Sequence, residues 1–176
     1  MAELGDESSA SQRSKDASAE PAKPAFKIVG IGTSAGGLGA LRALFSKMPP
    51  QPGVPFVVVM HLSPEHKSHL PELLQPHCPM PVQQVNETLK LEPNRIYVIP
   101  PNANLDAVDT HLRLSTLEQN RPERAPIDHF FRTLAETSDG QAIGVVLTGT
   151  GSDGTLGLRR IKIAEVCNLQ TTAAFR

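Results

Sequence analysis

Three short runs of almost unbroken apolar residues constrain this chain more than any other feature. They are Lys27-Ile28-Val29-Gly30-Ile31-Gly32, Phe56-Val57-Val58-Val59-Met60 and Ile143-Gly144-Val145-Val146-Leu147. A strand that is apolar at successive positions has no face to offer to water. It must be buried on both sides, as strands of a parallel sheet are. Helical spacing lies between the runs. Leu38, Leu41, Leu44 and Phe45 fall on one face, and Met48-Pro49-Pro50 stops that helix. Pro64 is expected to open a second helix carrying Leu70, Leu73 and Leu74. Pro126 suits the first turn of a third, where its missing N–H costs nothing, with Phe130, Phe131 and Leu134 along one side and Gly140 at its end. A fourth is expected from about Thr155. Val82 to Val85 and Arg95 to Ile99 read as short strands, and Leu105 to Leu114 as a hairpin around Asp109-Thr110.

Strands alternating with helices predict an α/β fold. The expected form is a doubly wound, mostly parallel sheet with helices on both faces and a small antiparallel hairpin. Right-handed crossovers then bring the C-terminal ends of the strands to one edge, where open α/β sheets bind their ligands.

Composition narrows the setting. With 176 residues and 39% hydrophobic content, the chain suits one domain with one packed core. A formal net charge of -1 offers no basic face for nucleic acid and no acidic tail. No apolar run nears the roughly 20 residues that span a bilayer. Residues 1–25 are rich in Ser, Ala, Glu, Lys and Asp and read as a disordered polar leader rather than a secretory signal. The folded domain is expected over 26–176. Cys78 and Cys167 are far apart without metal or redox spacing, so they read as reduced thiols of a cytoplasmic protein, with a distant disulfide as the alternative.

The chemistry-bearing residues follow the three apolar runs. Ser34 lies in Gly32-Thr33-Ser34-Ala35-Gly36-Gly37, which meets the nucleophile-elbow pattern G-x-S-x-G between strand and helix. The glycines there are expected to supply unusual backbone angles and room for substrate, and the helix start, at Ala35, to supply N–H groups for an oxyanion. Gly30-x-Gly32-x-x-Ala35 also fits a dinucleotide fingerprint, but the next strand ends in Met60-His61 rather than the acid that would hold a ribose. His61, after the second run, can take the serine proton and return it to a leaving alcohol. Asp153, in Gly149-Thr150-Gly151-Ser152-Asp153-Gly154, can cap the helix from Thr155, or accept from the imidazole and hold its tautomer. His66 and His69 share a helical spacing but lack a third ligand, so neither metal nor other cofactor is expected. His77, His111 and His129 read as solvated or packed residues.

In this order, Ile31-Gly32-Thr33-Ser34-Ala35-Gly36-Gly37, Met60-His61-Leu62, Arg95-Ile96-Tyr97-Val98-Ile99-Pro100-Pro101, Ala125-Pro126-Ile127-Asp128 and Leu147-Thr148-Gly149-Thr150-Gly151-Ser152-Asp153-Gly154 resemble the catalytic domain of chemotaxis protein-glutamate methylesterases (CheB type). The resemblance runs from about Phe26 to Lys162. It implies Ser/His/Asp hydrolysis of glutamate methyl esters on the cytoplasmic region of chemoreceptors, releasing methanol, and deamidation of receptor glutamines in many members. It assigns Ser34 as nucleophile, His61 as base and Asp153 as orienting acid. The Thr150 backbone N–H matches a family oxyanion-hole position where methionine is usual. Pro126-Ile127-Asp128-His129-Phe130-Phe131, with Leu62-Ser63-Pro64-Glu65-His66, is most similar to versions fused to a CheR-type methyltransferase domain, a further expected partner. The receiver domain that controls stand-alone members is not expected from so short a leader. After Ile161-Lys162 the residues depart from the family, so the domain is expected to be truncated or divergent beyond about 162, with a bared sheet edge inviting self-association. The competing expectation is a catalytically weak docking or regulatory module of the same fold.

Overall fold

The computed structural model describes residues 26–60, 69–116, 125–147 and 153–163. The leader 1–25, His61, Thr150, the expected helix start at Pro64 and the tail beyond 163 lie outside them. Eight strands and four α-helices are described: β1 (Ile28–Thr33), α1 (Leu38–Phe45), β2 (Phe56–Met60), α2 (Leu70–Leu74), β3 (Val82–Gln84), β4 (Leu89–Lys90), β5 (Ile96–Val98), β6 (Ala103–Val108), β7 (His111–Thr116), α3 (Pro126–Thr137), β8 (Ala142–Val146) and α4 (Thr155–Ile163).

Five strands form a parallel sheet in the order β3-β5-β2-β1-β8. As their apolar runs require, β1 and β2 are buried at every residue, whereas β8, at the end of the described sheet, is only half-buried at Ile143, Val145 and Val146. Their side chains alternate between two cores. Ile28, Val57 and Val59 join Phe130, Phe131 and Leu134 of α3 and Ile161 of α4. Val29, Ile31, Val58 and Met60 join Leu41 and Phe45 of α1 and Leu70 and Leu74 of α2. A period of two along each strand thus assigns α1 and α2 to one face, α3 and α4 to the other.

The predicted hairpin is present, turning at Asp109 with a left-handed φ of 53°. It gains a third strand, β4, pairing antiparallel with β7. Two residues are too few to leave a periodic signal. The free side of β6 is covered by α3: the Ala107 N–H donates to Thr133 Oγ1 at 3.0 Å, and Thr137 Oγ1 donates to the Ala107 carbonyl at 3.3 Å. Helix hydroxyls thereby satisfy groups that a neighbouring strand would otherwise meet.

Glycines set how closely α3 approaches the sheet. A Cβ on Gly30 would lie 3.0 Å from both the Phe130 and Phe131 rings, and one on Gly32 only 2.3 Å from Ile127 Cγ2. Both glycines sit inside β1, where they make room for a helix, rather than in a loop that could wrap a pyrophosphate. The dinucleotide fingerprint is therefore matched in letters only.

Candidate active site

The β1 register fixes what arrives at the C-terminal edge of the sheet. Thr33, the last residue of β1, is paired with Met60, the last of β2. Ser34 follows the first directly, and in sequence His61 follows the second. On the other side Gly32 is paired with Val146, and its carbonyl accepts the Leu147 N–H at 3.0 Å. The strands preceding all three nominated residues therefore end level with one another.

Ser34 is half-buried and extended, with φ -81° and ψ 172°. Beneath it Thr33 is 1% exposed and anchors the strand end. The Ser34 carbonyl accepts the Gly37 N–H at 2.9 Å, closing a 3-10 turn over Ala35–Gly37 that leads straight into α1. The first N–H groups of such a turn lack partners within it, which suits the Ala35 amide to an oxyanion role. The expectation of unusual backbone angles is corrected here. Gly37 has an ordinary φ of -83°, and among described glycines only Gly53, Gly140 and Gly154 have positive φ. Gly36 instead leaves space: a Cβ there would meet nothing nearer than Ser34 Oγ at 4.0 Å.

Asp153 caps α3, a helix to which the sequence did not point. Its Oδ1 accepts the Asp128 N–H at 2.9 Å and its Oδ2 the Ile127 N–H at 3.3 Å. Both amides belong to the first turn of α3, whose own cap position is Ala125, a residue with no side-chain acceptor. Asp153 thus performs in trans what an Asn or Ser would do locally. A carboxylate offers about four lone-pair sites, so accepting these two amides does not by itself bar a hydrogen bond from an imidazole.

Sequence reasoning assigned no role to Ile127 and Asp128, yet they link the parts. Ile127 is 3% exposed. Its Cγ2 lies against Gly32, two residues before Ser34, and against Gly154, next to Asp153. Gly154 adopts a φ of 93°, and a Cβ there would stand 2.8 Å from the same methyl. The Asp128 carboxylate returns the capping favour, Oδ1 accepting the Gly157 N–H of α4 at 2.7 Å. The available signal was an acid at the third position of a helix that has no capping residue of its own.

His129 is not simply solvated or packed. Its Nε2 donates to Asp106 Oδ1 at 2.5 Å, and its Nδ1 accepts from Arg132 Nη2 at 3.2 Å. Burial works against ionisation of Asp106, but hydrogen bonds from His129, Ser115 and Arg113 outweigh it and hold the carboxyl below its ordinary range. This cluster ties α3 to β6 and β7. His69 precedes α2, His77 ends the 3-10 turn after it, and His111 begins β7. Among the described residues no group of three or more His, Cys, Asp or Glu could hold a metal ion. No helix there is long and apolar enough to cross a membrane.

The sequence profile described as CheB methylesterase matches residues 29–173. A Leptospira interrogans protein, provisionally named protein-glutamate methylesterase/protein-glutamine glutaminase, is 33% identical over 138 residues, covering 78% of this chain and 72% of its own length. A Trichodesmium erythraeum protein named protein-glutamate methylesterase/protein-glutamine glutaminase is 35% identical over 142 residues, with 78% of this chain but 40% of the relative covered. The crystal structure of the Thermotoga maritima CheB methylesterase catalytic domain superposes with a TM-score of 0.71 at 28% identity, covering 81% of this chain and 78% of the other.

Proposed function

This chain belongs to the CheB methylesterase family, and from that premise we propose that it is a serine hydrolase removing methyl esters from glutamate side chains of chemoreceptors. The observation that carries this reading is the level ending of β1 and β2: the residues before Ser34 and before His61 are sheet partners. In the reaction, Ser34 Oγ attacks the ester carbonyl while His61 takes its proton. Asp153 orients the imidazole and stabilises its charged form. The tetrahedral oxyanion is met by the backbone N–H groups of Ala35 and Thr150. Methanol leaves with the proton held by His61, and water, activated by the same histidine, releases the glutamate carboxylate. A glutamine amide follows the same course with ammonia departing, so deamidation belongs to the proposal.

The partner is the methylated cytoplasmic region of a receptor, and the location is accordingly cytoplasmic. A CheR-type methyltransferase domain is a further proposed partner, supported by the motif forms at Pro126–Phe131 and Leu62–His66. The test is methanol release from methyl-labelled receptor fragment by wild type, Ser34→Ala, His61→Gln and Asp153→Ala. Each substitution is expected to lower turnover by orders of magnitude. Undiminished release by Ser34→Ala refutes the proposal. Receptor binding without release from any of the proteins makes the chain a docking module.

A further inference from the structure

Resting on the assignment of Asp153 as orienting acid, we propose that Asp128 is a positioning residue for the hydrolysis, acting through Asp153. The two residues are joined by a closed circuit. The Asp128 N–H donates to Asp153 Oδ1 at 2.9 Å, the chain runs from Asp153 through Gly154 into α4, and the Gly157 N–H of that helix donates back to Asp128 Oδ1 at 2.7 Å. Each aspartate therefore binds the first turn of the helix next to the other. With Ile127 N–H on Oδ2 and Asp128 N–H on Oδ1, the plane of the Asp153 carboxylate is set by two adjacent amides of one rigid helix.

Glycine makes the circuit possible. At Gly157 a Cβ would lie 2.8 Å from the Asp128 carbonyl oxygen and 2.6 Å from Phe131 Cβ, so only glycine lets α4 begin this close to α3. Ile127, in the same first turn of α3, touches Gly32 on the Ser34 strand. The start of α3 thus serves as the common reference for the nucleophile strand and the acid. Removing the Asp128 carboxylate leaves Gly157 N–H without its acceptor and loosens the α4 end of the circuit. The Asp153 carboxylate then samples orientations that do not serve the histidine, and catalysis is sensitive to displacements of about 1 Å.

A double-mutant cycle on the full chain tests this, reading methanol release from methyl-labelled receptor fragment. Asp128→Ala is expected to lower kcat about 10- to 100-fold with KM changed less than about twofold. Introduced into Asp153→Ala, the same change is expected to lower the residual rate less than about twofold, because the group it positions is gone. Asp128→Asn keeps an acceptor oxygen for Gly157 and is expected to recover most of the loss. Should Asp128→Ala not fold, Asp128→Glu, which displaces the carboxylate by one methylene, takes its place in the cycle. Equal losses with and without Asp153, no loss at all, or no recovery with Asn each overturn the proposal. Full activity in Asp153→Ala instead overturns the triad on which it rests, and that result is distinct from an impaired Asp153→Ala beside an unaffected Asp128→Ala.

Discussion

The carboxylate of Asp153 and the backbone amide of Asp128 meet at 2.9 Å, although 25 residues separate them in sequence. This contact makes Asp153 a structural residue as well as a proposed catalytic one, since it supplies the cap that Ala125 cannot. Asp153→Ala is therefore expected to lower stability by about 1 kcal/mol, the usual worth of an N-cap, besides lowering turnover by orders of magnitude. Chemical denaturation of Asp153→Ala against Ser34→Ala separates the two effects, because Ser34→Ala removes no cap and is expected to keep wild-type stability.

Gly32 and Ile127 form a steric pair. Gly32→Ala places a methyl 2.3 Å from Ile127 Cγ2 and is expected to cost about 1–3 kcal/mol through overpacking. Ile127→Ala, which empties a buried position, is expected to cost about 2–5 kcal/mol. Combined, they should cost less than their sum, because the smaller side chain at 127 admits the new methyl. Additive losses in urea melts would show that the two positions do not share this space.

Asp106 should make the fold sensitive to acid. Its carboxyl is held below its ordinary range in the folded state, so it contributes stability above the unfolded value, roughly 3.9, and that contribution is lost as pH falls through the lower folded value. Asp106→Asn is expected to be less stable than wild type at neutral pH and to lose less stability on acidification below about pH 4. Denaturation curves taken from pH 7 to pH 3 check both the sign and the window.

Cys78 is expected to resist alkylation. Burial pushes its thiol from 9.0 up to about 11. The thiolate is the reactive form, so at pH 8 iodoacetamide should modify Cys78 about 100-fold more slowly in the folded protein than in urea. Peptide mapping reads Cys78 apart from Cys167. Equal rates in both states would contradict the burial.

What could be read from the residues, and what could not, divides along the range of the interactions involved. The unbroken apolar runs at 28–32 and 56–60 dictated buried parallel strands, because a strand without a polar face has no other stable environment. Pro126 marked a helix start because ring geometry and a missing donor are properties of one residue. The position of Ser34 after β1 was legible for the same local reason. Other features depended on packing between distant segments. Gly30 and Gly32 look like a loop for phosphate or a flexible elbow in one dimension, and only the arrival of Phe130, Phe131 and Ile127 shows them to be clearance for a helix. The residues around Asp153 point to a cap on its own α4, and nothing local signals that its carboxylate accepts from the first-turn amides of α3, which have no acceptor at Ala125. No periodicity records which aspartate faces which helix. The tertiary structure alone decided that Asp128 and Asp153 hold each other's helices, since that pairing depends on how closely α3 and α4 can approach at Gly154 and Gly157.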